Sequence, residues 1–183
     1  MTEDIITLLL ADDQEMVRVG FRMVLDAQQD MTVVGEVGDG RAAVDAVVGA
    51  PSDARPDLVL MDIRMPHLNG VAATESITSA TDTKVLVLTT FDLDEYVFSA
   101  LKAGASGFML KDARPEELLA AIRTVASGDA VVAPSATRRL LEHVAPSLPD
   151  HVGEEDDRLS VLTERELEVL GEGGLVPLLG VVV

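Results

Sequence analysis

The sequence contains no cysteine, which excludes disulfides, thiolate catalysis and cysteine-ligated zinc together. Its three histidines, His67, His143 and His151, are scattered without metal-ligand spacing. Lysine is scarce too, present only at Lys84, Lys102 and Lys111. With 14 basic residues against 32 acidic ones, the net charge of -18 argues against non-specific nucleic-acid binding, because phosphate contacts need clustered Lys and Arg. No apolar run approaches the roughly 20 residues that a membrane span needs, and no basic segment followed by an apolar stretch opens the chain. The expected protein is soluble and cytoplasmic. Its 183 residues fit one ordinary domain plus an appendage. A domain of roughly 120 to 130 residues can bury a core without metal or disulfide staples. What is abundant is carboxylate, and that suits a divalent cation held by oxygen ligands.

The stretch Pro56-Asp57-Leu58-Val59-Leu60-Met61-Asp62-Ile63-Arg64-Met65-Pro66 organises the rest. Leu58 to Met61 are too few for a helix and too uniformly apolar for a half-exposed strand, so they predict a buried parallel strand. Asp62 is then delivered at the strand's carboxyl end, where open α/β sheets place their ligands and chemistry. Taken alone, Asp62 is equally well read as a loop-capping residue.

Other segments supply context. Residues 5 to 11 predict a second buried strand ending on Asp12 and Asp13, and Met16, Val19, Gly20, Met23 and Val24 recur at helical spacing through 14 to 28. Residues 31 to 37 form a β-branched strand segment, 40 to 50 a helix broken by Pro51 to Pro56, and 71 to 80 a helix after Asn69-Gly70. Strands are expected at 84 to 89 and 107 to 110. Helices are expected at 94 to 103, stopped by Gly104, and from Pro115, well suited to a first helical position, to Gly128. Five strands alternating with five helices imply a parallel sheet covered on both faces. Right-handed crossovers put all the strand carboxyl ends on one edge.

Beyond Gly128 the pattern changes. Residues 134 to 144 can form one more helix, and 145 to 160 hold Pro146, Pro149, Gly153 and the acidic run Glu154 to Asp157, which makes 129–160 a linker. Thr163 and Glu166 have capping-box spacing, so a helix starts near 164, but Gly171, Gly173, Gly174 and Pro177 soon interrupt it. A short helical or irregular tail is expected.

The strand ends present Asp12, Asp13, Asp62, Thr89 and Lys111 at one edge. Three clustered carboxylates repel one another unless a cation neutralises them, and Mg²⁺ fits by its all-oxygen ligands and its preference for phosphate oxygens. With charge drawn off by the metal, a carboxylate can attack phosphorus and hold an acyl phosphate. Asp62 is the candidate nucleophile. A transferred phosphoryl group carries charge on three oxygens, and catalysis of its transfer is mostly positioning and electrostatic stabilisation. Mg²⁺, the Lys111 ammonium and the Thr89 hydroxyl supply one partner for each oxygen. Singly, the Asp pair reads as a solvated loop start, Lys111 as a surface lysine and Thr89 as a backbone-bonded hydroxyl. Their joint coincidence is much harder to explain that way.

The motifs Ala11-Asp12-Asp13-Gln14, Val59 to Pro66, Leu88-Thr89-Thr90-Phe91-Asp92 and Ala103 to Asp112 occur in this order. Over about residues 5 to 128 the chain resembles a two-component response-regulator receiver domain of the NarL/FixJ (LuxR-type) class. That resemblance implies a flavodoxin-like (CheY-like) five-stranded parallel sheet of order 2-1-3-4-5 over residues 1–128. It implies phosphotransfer from a sensor histidine kinase to Asp62, with Mg²⁺ at Asp12, Asp13, Asp62 and the backbone carbonyl of Arg64. It also implies a switch in which Thr89 moves toward the phosphoryl group and Phe108 follows, although Phe108 fits plain core as well. Asn69 stands where many relatives carry Asp, and it keeps the turn chemistry.

Leu162 to Leu170 resembles the opening of a LuxR-type helix-turn-helix domain, and from Gly171 the likeness ends. Such a domain needs roughly 60 residues, including its recognition helix; Leu162 to Val183 is 22. Residues 145 to 183 also carry nine acids against two arginines, the wrong sign for DNA. The expectation is therefore a complete receiver and a truncated output domain over 161–183, with direct DNA binding disfavoured. Homodimer or heterodimer formation through the receiver is compatible with this. The alternative is a DNA-binding transcriptional regulator acting through an intact output domain or a dimer partner. An enzyme is not expected beyond self-phosphorylation from small phosphodonors and slow self-dephosphorylation. An aspartyl phosphohydrolase would want a second Asp two residues after the nucleophile, and position 64 is Arg.

Overall fold

The structure, a computed structural model, describes residues 5–90 and 94–132. Short apolar runs make the strands: β1 (Ile6–Ala11), β2 (Met31–Val37), β3 (Leu58–Asp62), β4 (Lys84–Thr89), β5 (Gly107–Leu110) and a two-residue β6 (Val131–Val132). Between them lie α1 (Glu15–Asp26), α2 (Gly40–Val48), α3 (Gly70–Ala80), α4 (Asp94–Lys102) and α5 (Pro115–Ala126). One parallel sheet results, ordered β2-β1-β3-β4-β5-β6. The predicted order is observed, with one addition. β6 pairs with β5 beyond Gly128, where the sequence pattern closed the domain, because Val131 and Val132 are too short a run to show alternation.

Strand alternation splits the core into two layers. Leu9, Ala11, Val59, Met61, Val85, Val87 and Phe108 face α2, α3 and α4, where Ala43, Val47, Ala73, Ile77 and Ala100 meet them. Leu8, Leu10, Leu58, Leu60, Leu86, Leu88 and Met109 face α1 and α5, meeting Leu25, Leu118, Ala121, Ile122 and Val125. All five residues of β3 are buried, and full burial of each aliphatic side chain contributes roughly 1.5–3 kcal/mol. The central strand is thus held from both sides, and Asp62 is rigidly placed at its end.

Caps fix where the helices begin. Asp39 accepts from Ala42 N at 2.8 Å at the start of α2, and Asn69 accepts from Ala72 N at 2.9 Å at the start of α3, so Asn69 serves the turn as its side-chain chemistry predicts. Pro115 is the first residue of α5, and Glu117 in its first turn accepts from Arg114 N at 3.3 Å. The apolar spacing of α1 predicts a helix, and the helix is there, but Met16 is 83% exposed and Met23 72%, with Val19 also outside the core. Leu25 is its buried residue, and Phe21 packs against the same cluster. Helical spacing alone does not say which of two apolar stripes turns inward. The expected helix at 134–144 and the capping box at Thr163 lie outside the described residues, as do Phe91 and Asp92 of the third motif.

Candidate functional site

β1 and β3 are neighbours at the point where strand order reverses; β3 ends on Asp62, and Asp12 and Asp13 directly follow β1. Ligand oxygens of Asp12, Asp13 and Asp62 lie within 4.8 Å of one another. Asp12 and Asp62 are buried and Asp13 is exposed. Lys111, just past β5, reaches between the two buried acids: its Nζ is 2.6 Å from Asp12 Oδ2 and 3.1 Å from Asp62 Oδ1, with only 8% of the side chain exposed. Four of the five residues singled out from the sequence are therefore in mutual reach.

Thr89 ends β4, one residue beyond Leu88, the register partner of Asp62. It is buried, and its hydroxyl donates to the Thr90 carbonyl at 3.2 Å, a long and easily exchanged bond. Alternation puts Thr89 on the same sheet face as Val87, whose partner on β5 is Phe108. Phe108 is deep in that core layer. Arg64, in the loop after β3, donates from Nη2 to Thr90 Oγ1 at 2.9 Å.

Charge decides what this cluster can hold. Three carboxylates and one ammonium leave two negative charges at the strand ends, matching a divalent cation. Burial pushes the Asp62 carboxyl above its usual range; Lys111 opposes this, while Asp12 adds to it. The three carboxylates could hold such a cation through oxygen ligands alone.

The loop leaving the site is tightly constrained. Gly70 N donates to Ile63 O at 2.8 Å, and a Cβ at Gly70 would stand 1.9 Å from the Asp62 carbonyl oxygen. Only glycine permits this approach. His67, in the same loop, takes a positive φ of 62°.

A residue that sequence reasoning missed is Arg18 on α1, whose Nη1 donates to the Asp12 carbonyl at 2.6 Å. Its place in the sequence, six residues after Asp12 on a helix, carries no signal that it turns back toward the loop.

Comparison with known proteins now bears on this geometry. The family described as "Response regulator receiver domain" matches residues 8–123. This chain belongs to that family. The transcriptional regulatory protein YxjL of Bacillus subtilis (strain 168) is 43% identical over 171 residues, covering 93% of this chain and 76% of that protein. The oxygen regulatory protein NreC of Staphylococcus epidermidis (strain ATCC 35984 / DSM 28319 / BCRC 17069 / CCUG 31568 / BM 3577 / RP62A) is 42% identical over 166 residues, covering 89% and 74%. Among solved structures, a LuxR-family two-component response regulator from Aurantimonas sp. SI85-9A1 superposes with a TM-score of 0.69 at 28% identity, over 78% of this chain and 99% of that one. ChrA, a response regulator of a heme-sensing two-component system, gives 0.64 at 33% identity, over 92% and 74%. The receiver is of the NarL/LuxR class and belongs to a two-component response regulator. Its family works in signalling. Among the described residues, no helix is long and apolar enough to cross a membrane.

Proposed function

We propose that the receiver accepts a phosphoryl group on Asp62 from a sensor histidine kinase in a Mg²⁺-dependent reaction. The observation that carries this reading is the convergence of Asp12, Asp13, Asp62 and Lys111 on one strand edge. Asp12, Asp13, Asp62 and the Arg64 carbonyl would hold the ion, which when bound withdraws charge from the phosphoryl oxygens and from the nucleophile. Asp62 supplies the attacking oxygen: a P–O bond forms to its carboxylate, the P–N bond of the donor phosphohistidine breaks, and the imidazole leaves. Lys111 already sits beside the nucleophile and pairs with one phosphoryl oxygen, and Thr89 exchanges its bond to the Thr90 carbonyl for another.

That exchange is the switch. Movement of Thr89 opens space on the sheet face it shares with Val87, and Phe108 repacks into it. Receiver dimerisation and a transcriptional output downstream of this change are part of the same reading, supported by the regulatory roles that YxjL and NreC are named for. The layout carried with it is a receiver over 1–128, a linker with one helix over 129–160 and the opening of a LuxR-type helix-turn-helix over 161–183, in a cytoplasmic protein. Catalysis in its own right is limited to self-phosphorylation from small phosphodonors and slow self-dephosphorylation.

Intact-mass measurement after incubation with acetyl phosphate and Mg²⁺ tests the reading. One phosphoryl adduct is expected on the parent chain, and none on Asp62→Asn or in the presence of a chelator. An unmodified parent, or an undiminished adduct on Asp62→Asn, refutes it.

A further inference from the structure

We propose that Arg18 is a positioning residue for the carboxylate cluster, holding the Asp12 main chain so that Asp13 faces Asp62, and that Glu36 on β2 holds Arg18 in turn. This inference rests on the reading of the cluster as a Mg²⁺ site. Asp12 is pinned at four atoms. Its N donates to Val37 O at 3.1 Å, Oδ1 accepts from Gln14 N at 2.9 Å, Oδ2 takes the Lys111 ammonium and its carbonyl takes Arg18 Nη1. Asp13 has no such support: among the described residues no hydrogen bond or ion pair holds its carboxylate. The Asp13 Cα from which that carboxylate springs lies in the peptide plane between Asp12 and Asp13, and the oxygen of that plane is the atom Arg18 grips.

Arg18 is itself placed by charge. Its side chain is 17% exposed, and Nε lies 3.4 Å from Glu36 Oε2, buried and without a hydrogen bond. Glu36 Oε1 takes Nε of Arg22, whose Nη1 is 3.6 Å from Asp26 Oδ2. A chain of alternating charge thus runs along α1 to the edge of the sheet and ends on the metal-binding turn. A rigid planar guanidinium can donate from Nη1 to the Asp12 carbonyl while its Nε stays beside the Glu36 carboxylate, whereas a lysine has one mobile ammonium. Groups that orient metal ligands without touching the metal typically change affinity 10–100-fold when removed.

The test titrates the full chain with Mg²⁺ alone by calorimetry, alongside thermal unfolding followed by circular dichroism. Arg18→Lys keeps the charge and loses the fork; Arg18→Met loses both. Both are expected to raise the Mg²⁺ Kd about tenfold. Arg123→Gln, a surface variant remote from the cluster, is expected to leave it unchanged. A purely electrostatic role for Arg18 predicts the opposite sign for Arg18→Met, because removing a cation tightens cation binding. A purely structural role predicts a lower melting temperature with an unchanged Kd. Either result overturns the proposal. Should the Arg18 variants fail to fold, Glu36→Gln, which loosens Arg18 without removing it, is expected to raise Kd severalfold, and an unchanged Kd overturns the proposal. A parent chain that binds no Mg²⁺ removes the metal reading and this inference with it, whereas binding by the parent and an equal Kd in Arg18→Lys remove this inference alone.

Discussion

Replacing Lys111 by Met should expose the energetic logic of the site. The ammonium stands 2.6 Å from Asp12 and 3.1 Å from Asp62, nearly shut off from solvent, so Met leaves two buried carboxylates without their cation. Removing one partner of a buried pair costs about 3–5 kcal/mol, which for a domain of this size lowers Tm by roughly 10–20 °C in metal-free buffer at neutral pH. Two rescues should follow. Mg²⁺ at about a hundred times its Kd restores about 2.7 kcal/mol, and it should stabilise the variant more than the parent because it no longer competes with an ammonium. Acid should also rescue. The Asp62 carboxyl is already raised by burial, and loss of Lys111 raises it further. A carboxyl with a folded pKa above its unfolded value takes up a proton on folding, so its stability is fully present below the unfolded value and is lost as pH rises through the folded one. The deficit of Lys111→Met should therefore shrink as pH falls from neutrality toward the unfolded carboxylate value. Thermal and urea unfolding followed by circular dichroism, with and without Mg²⁺, provides the assay. A variant as stable as the parent under every condition would show that Lys111 does not neutralise these carboxylates, and the electrostatic account of the site would be wrong.

Other perturbations have equally definite outcomes. Arg123→Gln breaks the pair between Arg123 Nε and Asp30 Oδ2 at 2.7 Å, and because the side chains are 45% and 27% exposed the loss at neutral pH should be at most about 1 kcal/mol. Arg123 holds the Asp30 carboxyl below its usual range, so this contribution is present above the unfolded carboxylate pKa and disappears as acid titrates Asp30; a parent–variant gap in urea midpoint that widens in acid would contradict the pairing. Gly70→Ala drives a methyl to 1.9 Å from the Asp62 carbonyl oxygen, and accommodating it should cost about 3 kcal/mol and weaken Mg²⁺ binding through the displaced Asp62; an unchanged urea midpoint would show that the loop is looser than the structure has it.

Strands were the most legible part of the fold. The runs at 31–37, 84–89 and 107–110 match β2, β4 and β5 to the residue: β4 and β5 are nearly all buried and read as uninterrupted apolar segments, whereas the edge strand β2, alternately buried and exposed at its start, is marked by its β-branched residues. The site was legible for a related reason: in a parallel sheet every strand end falls on one edge, so acids that follow apolar runs must meet. Three things were hidden. Met16, Val19 and Met23 have the spacing of a core face but are exposed, since α1 carries apolar residues on more than one side and only packing chooses between them. β6 is too short for a pattern. Arg18 looked like one more solvated helix residue, because its reach back to the Asp12 carbonyl depends on how α1 docks on the sheet and not on any local spacing.

The central claim, that Asp62 itself receives the phosphoryl group, is tested most directly by reducing the acyl phosphate of the labelled chain with borohydride and mapping the peptides by mass. Homoserine at position 62 is the predicted product, with Asp12 and Asp13 intact. Reduction at Asp12 or Asp13, with Asp62 unmodified, would contradict the assignment.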